Sequence, residues 1–483
     1  MLLTRRHTPP MHAVDWCIIS ASIGAVTLIA LWLRRYVKGV SGFLAADRCA
    51  GRYLLTLADG MAGMSAIGII GVFQQQYHTG FGGSWWGGML GPVGMIITLT
   101  GFIIYRFRET RALTMGQFFE MRYSKRFRVF AGMLAWTAGM LNYGVFPAVT
   151  ARFIIYFCGL PVYLVALGPL QLNLTLGAVM ALMLGTALSA TLLGGHVVVM
   201  ITDFIQAQFV NLVFMAVLVL LVVYFGWSDI TETLKAHAPK GESMLNPFDR
   251  GSASDFSVWF FAIGAFNVVY TYMAWQGNQA YNCSARTPHD AKMARVLAVW
   301  RSGVTWTVIS LLPICAFVLM HSTASAPAAA ATHAALDAIA DQTIHKQVLV
   351  PLALKQIMPA GLLGLFVAAM IACAISTDDT YLHSWGSIFI QDVLMPFRRT
   401  PFAPRQHMRL LRISIISVAV FAWVFGMLFT LREYIFMYWA ITGAIYTGGA
   451  GAAIIGGFYW PRGTTAGAWA GMITGSVLGV LGT

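Results

Sequence analysis

Residues 361–393 read GLLGLFVAAMIACAISTDDTYLHSWGSIFIQDV. Nothing from Gly361 to Ile375 is charged. Then Ser376, Thr377, Asp378, Asp379 and Thr380 line up five oxygen-bearing side chains, and a largely apolar run follows before Arg398 and Arg399. A helix needs about 20 apolar residues to cross a bilayer, so this cluster falls inside a span rather than at its edge. Polar groups there cost free energy and ask for a reason. A hard cation such as Na⁺ takes several oxygen ligands. The adjacent hydroxyls of Ser376 and Thr377, with the carbonyl of Cys373 a turn earlier, offer half a cage. The alternative is a polar helix end whose hydroxyls bond back to their own backbone.

Residues 54–76, LLTLADGMAGMSAIGIIGVFQQQ, offer the other half. Asp59 sits early, and glycines at 60, 63, 68 and 71 loosen the helix. A break would free the carbonyls of Ala58 and Met61 to face a cavity. Close helix packing through small residues is the other reading.

Composition sets the frame. The 483 residues are 58% hydrophobic and 10% charged, with a mean hydropathy of +0.71. Soluble domains carry about 25% charged residues, so the chain is an integral membrane protein, and recurrent apolar runs of about 20 residues make its spans helical rather than barrel strands. About twelve spans are expected, near 14–33, 54–73, 85–105, 129–157, 176–193, 197–225, 256–275, 297–320, 361–390, 411–430, 434–459 and 467–483. The net charge of +13 would suggest nucleic acid in a soluble chain. Here most basic residues, from Arg34, Arg35, Lys38, Arg48 and Arg52 onward, fall on one side when the spans alternate. This positive-inside pattern puts the N-terminus outside a cell membrane. Stretches near 226–255 and 321–360 become outer loops, the second carrying a short exposed helix. MLLTRRHTPP at the N-terminus lacks a signal-peptide layout. The last run, GAWAGMITGSVLGVLGT, stops inside a span, as in a truncated chain. Six scattered cysteines have no metal spacing and read as packing residues.

Two further spans carry polar groups. Asp203, in VVVMITDFIQAQFVNLVF (197–214), reads either as an interfacial cap or as a second cation ligand. FFAIGAFNVVYTYMAWQGNQAYNCSA (260–285) joins aromatics to Asn267, Gln276, Asn278 and Gln279, as a solute site or an interface belt would. Arg301 lies in the inner part of a span, snorkelling to the inner surface or favouring an anion.

In order along the chain, RYSKRFRVFAG (122–132), TARFI (150–154), GGHVVVMITDFIQA (194–207), AAMIACAISTDD (368–379) with SIFIQDV (387–393), and GFYWPRGTTAGAWAGMITG (457–475) resemble the sodium:solute symporter family, which includes sodium-coupled sugar, proline, pantothenate and sialic acid carriers. The resemblance implies a five-plus-five inverted repeat of the leucine-transporter type with broken first helices at the midplane. One transporter domain would then comprise an extra helix at 14–33, repeats at 54–225 and 256–459, and the start of another helix at 467–483. It implies a main Na⁺ site on the Ala58, Met61 and Cys373 carbonyls and the Ser376 and Thr377 hydroxyls. A second site would use Asp203, Asp379 and Thr380. Asp378 departs from the family's small residue, leaving ion number open. Solute would meet Ser65, Asn142, Thr271, Trp275 and Asn278. Ala274 replaces the ring-covering tyrosine of the sugar carriers, and 85–105 lacks their acid, so a polar organic solute other than a sugar is favoured. The reading is thus a secondary transporter, not an enzyme. Rivals are proton-coupled symport through Asp59, Asp203 or Asp378, the membrane sensor domain of a signalling protein, and an enzyme using His383 with Asp378 and Asp379, for which no nucleophile motif is present.

Overall fold

The computed structural model describes residues 11–36, 39–168, 170–249 and 256–481. Lys38, residues 1–10, the end of the first long loop and the last two residues of the final span lie outside these. The helices that carry the argument are α1 (Ala13–Leu33), α2 (Arg52–Ala62), α3 (Ala66–Thr100), α4 (Lys125–Tyr143), α5 (Phe146–Cys158), α6 (Leu174–Tyr224), α7 (Val258–Tyr270), α8 (Gln279–Ser284), α9 (Pro288–His321), α10 (Leu362–Ile388), α11 (Pro404–Leu428), α12 (Ile435–Tyr459) and α13 (Thr465–Leu481). A two-stranded hairpin, Leu164–Leu167 with Leu170–Asn173, is a small β addition to the expected all-α chain.

Among the described residues eight helices are long and apolar enough to cross a membrane, and α7 and α13 are shorter apolar ones. The difference from twelve has a backbone cause. The spans expected at 176–193 and 197–225 are one helix of 51 residues, bent at Gly195 (φ 50°, ψ −147°). Likewise α3 runs on through Gly80 (φ 56°, ψ −147°). Only glycine enters that region without strain, so each reversal needs no loop. Gly80 sits against the backbone of Met244, reached from the long loop that follows α6.

Two expected spans are instead cut. The first breaks where α2 ends at Ala62 and α3 begins at Ala66. Ser65 caps the new start by accepting the Gly68 N–H at 3.0 Å, which satisfies a donor orphaned by the break. The other cut falls after Tyr270, with Met273 at φ +59° and α8 resuming at Gln279.

α10 is the central rod, buried over most of its length. Its start is held by Asp15 of α1, whose Oδ1 accepts the Gly361 and Gly364 N–H groups at 2.7 and 2.8 Å. Gly364 and Gly386 let Asp15 and Ile415 approach within a distance that a Cβ would block. The polar pentad therefore lies deep inside the bundle. In the stretch near 321–360, two helices form rather than one exposed one. Gln342–Lys355 buries Ile344, Val348 and Leu352 against the body of the protein. No cysteine is paired; four are buried, while Cys17 and Cys49 are exposed and so do not pack as expected.

Candidate ion and solute sites

The broken end of α2 meets the middle of α10. Thr377 donates its hydroxyl toward the Ala62 carbonyl and the Cys373 carbonyl, each at 3.1 Å. Ala58, Met61, Cys373 and Ser376 are completely buried around this point. The Ser376 hydroxyl lies beside the Asp203 carboxylate of α6, yet Ser376 Oγ and Asp203 Oδ1 have no hydrogen-bond partner. Tyr281 of α8 donates to the other Asp203 oxygen and stands 3.2 Å from Thr380 Oγ1. Thr191 hydrogen-bonds the Asp379 backbone carbonyl at 3.3 Å, while Asp379 Oδ2 and Asp378 Oδ2 are buried without partners. Buried oxygens normally have partners, and buried carboxylates need a counter-charge. A group of acceptors this poor in donors fits a small cation.

The structure thus brings Thr377 and Cys373 together with α2, but the carbonyl in contact is Ala62, one residue beyond Met61. The sequence signal for it was the glycine after it, Gly63, where the helix ends. Tyr281 was missed as well. Nothing local marks a tyrosine in α8 as the partner of an aspartate 78 residues earlier.

Asp59 is occupied differently. It pairs with Arg295 at 2.7 Å and accepts Asn278 Nδ2 at 2.9 Å. The Arg301 guanidinium packs directly onto Gly60, where a Cβ would collide with it. Arg301 therefore packs against α2. Its Nε is buried without a partner.

A cleft of about 710 Å³ opens between α7, α12 and α13 and reaches the core of the bundle. Asn142, Thr271 and Trp275 line it, with Phe146, Tyr381 and Trp439. Ser65 and Asn278 are not on its wall; the first caps α3 and the second holds Asp59. Trp275 Nε1 donates to Tyr381 Oη at 3.0 Å, and Phe146 lies 5.3 Å from both Tyr381 and Trp439 between ring centroids.

Beyond the ion cluster along α10, two motifs close on each other. Arg128 of RYSKRFRVFAG pairs with Asp392 of SIFIQDV at 3.0 Å and with Glu120 at 2.7 Å. It also donates to the Gln391 carbonyl at 2.7 Å, and Thr114 donates to Asp392 at 2.6 Å. Gly116 and Gly132 leave the space that the Asp392 side chain fills.

Comparison with known proteins agrees with this geometry. No curated protein matches the chain. Among solved structures it is similar to a Na⁺-coupled sialic acid symporter in a substrate-bound outward-open state, at 16% identity over 97% of this chain and 95% of that one, with a TM-score of 0.77. That likeness gives the fold, a helical bundle of the inverted-repeat, leucine-transporter type. Residues 43–475 match the sodium:solute symporter family, so the chain belongs to that family and couples the movement of a small solute to Na⁺.

Proposed function

We propose that the coupling Na⁺ binds where the end of α2 meets α10, on the carbonyls of Ala58, Met61 and Cys373 and the hydroxyls of Ser376 and Thr377. The Ala62 carbonyl adds to this set. The observation that carries the reading is the Thr377 hydroxyl shared between Ala62 and Cys373. A second Na⁺ would sit on Asp203, Asp379 and Thr380, and solute would occupy the cleft lined by Asn142, Thr271 and Trp275. The repeats 54–225 and 256–459 each contribute one broken helix. The N-terminus lies outside a cell membrane, since the loops rich in Arg then face inward.

Ion binding would hold the broken helix against α10 and select the conformer that accepts solute from outside. A potential of about 100 mV supplies roughly 2.3 kcal/mol per charge, and a tenfold gradient adds about 1.4 kcal/mol. One ion therefore supports solute accumulation of about 10² to 10³, and two ions the square of that. Proton coupling is a second reading, favoured by the adjacent buried carboxylates Asp378 and Asp379. The test is uptake into vesicles driven either by a Na⁺ gradient or by a pH gradient alone, with Ser376→Ala/Thr377→Ala beside the unaltered protein. The double variant should lose Na⁺ dependence. Unchanged Na⁺ dependence sinks the ion site, and full uptake on a pH gradient without Na⁺ favours the proton.

A further inference from the structure

The cleft says more about its solute than its volume does. Among the described residues no Lys, Arg, His, Asp or Glu lies on its wall. Of the cations at the broken helix, Arg295 pairs with Asp59 and Arg301 packs on Gly60, and neither lines the cleft. A carboxylate entering the cleft would meet no counter-charge, at a cost of several kcal/mol. The inner wall is aromatic: Phe146, Trp275, Tyr381 and Trp439 stand with ring centroids 5.3 to 6.3 Å apart. Such faces favour a flat ring.

The hydrogen-bonding groups still free define the edge of that ring. Trp439 gives the cleft its ring, while its Nε1 is closed off from the cleft. Tyr381 Oη accepts from Trp275, so its own proton is available to give. Thr442 spends its proton on the Tyr438 carbonyl at 2.7 Å and so must accept from Asn142 Nδ2, also at 2.7 Å. That leaves Asn142 Oδ1 as an acceptor and its second Nδ2 hydrogen as a donor. Thr271 and Thr447 give their protons to their own helices, at 2.7 and 3.0 Å. The inner wall thus offers two donors, the Tyr381 hydroxyl and one Asn142 N–H, and one strong acceptor, Asn142 Oδ1, with the Asn267 amide elsewhere on the cleft. A sugar ring brings roughly five hydroxyls, most of which would go unpaired here at about 1–3 kcal/mol each.

We propose that the cleft selects an uncharged flat ring whose edge carries a carbonyl beside an N–H, the lactam edge of a pyrimidine base or pyridone. Its carbonyl would accept from Tyr381 and the free Asn142 N–H, its N–H would donate to Asn142 Oδ1, and its faces would lie against the aromatic wall. This rests on the symport reading and names the solute class of that same cleft.

The test is thermal stability of the full chain in detergent, in sodium chloride and in choline chloride. The probes are 2-pyridone, uracil and uridine, set against proline, N-acetylneuraminate and glucose. At least one lactam ring should raise the melting temperature in sodium only, and the three comparison solutes should not. Tyr381→Phe keeps the ring and removes the hydroxyl; it and Asn142→Leu should each weaken lactam binding about tenfold, while Na⁺ alone still stabilises both variants. Stabilisation by proline, N-acetylneuraminate or glucose but by no lactam overturns the proposal, as does the absence of any solute effect while Na⁺ stabilises. Loss of the Na⁺ effect in the unaltered protein overturns the ion site instead, so the two failures are separable.

Discussion

Thr377 on α10 gives its hydroxyl to the carbonyl of Ala62 at the broken end of α2, 3.1 Å away and 315 residues earlier in the chain. The contact ties a broken helix end to a helix that carries adjacent hydroxyls. Thr377→Val keeps the side-chain shape but removes the oxygen. The expected result is a Na⁺ affinity lower by tenfold or more, about 1.4 kcal/mol, with Thr377→Ser largely preserved. Na⁺ titration of uptake or of thermal stability measures both.

Tyr281 and Thr380 gather around Asp203, whose carboxylate also lies beside Ser376. If Asp203 holds a second ion, Asp203→Asn reduces the Hill coefficient of Na⁺ activation toward one and leaves Na⁺ dependence itself in place. A variant with the same Hill coefficient as the unaltered protein means that only one ion is coupled.

Gly195 lets α6 double as two spans. A Cβ there would lie 2.5 Å from the Phe43 ring and 2.6 Å from the Phe43 carbonyl, on a backbone at φ +50°. Gly195→Ala combines backbone strain with overpacking and should cost about 3 kcal/mol. Gly185, on the same helix, has open space around it. Gly185→Ala should be neutral or slightly stabilising, by up to about 1 kcal/mol. Melting temperatures of the pair test the contrast.

The Arg128–Asp392 pair spans 264 residues and is mostly buried. Removing one partner of a buried pair strands the other, at roughly 3–5 kcal/mol. Arg128→Gln should therefore lower the melting temperature markedly. Because the pair holds the α4 start to the end of the α10 segment, the same change should raise the rate of solute efflux from loaded vesicles. The double change Arg128→Gln/Asp392→Asn should recover part of the stability, as a double-mutant cycle would show.

Much of this molecule is local and so legible in one dimension. Hydropathy over windows of about 20 residues marks a membrane chain, and a hydroxyl pair after an apolar run marks a polar site inside a span. Glycine density marked the break in residues 54–76, because backbone freedom depends on the residue itself. The ordered motifs, with Ser376 and Thr377 intact, pointed to the family and its fold. The tertiary structure decided the rest. It chose Ala62 as the carbonyl against Thr377 and set Tyr281 on Asp203. It turned Arg301 onto Gly60, gave Asn278 to Asp59 rather than to the cleft, and made the cleft from Asn142, Trp275, Tyr381 and Trp439. These partners lie tens to hundreds of residues apart, and each pairing depends on how broken helices cross. A span's composition says that it enters the bilayer; only the packing of its neighbours says which of its faces meets an ion, a solute or another helix.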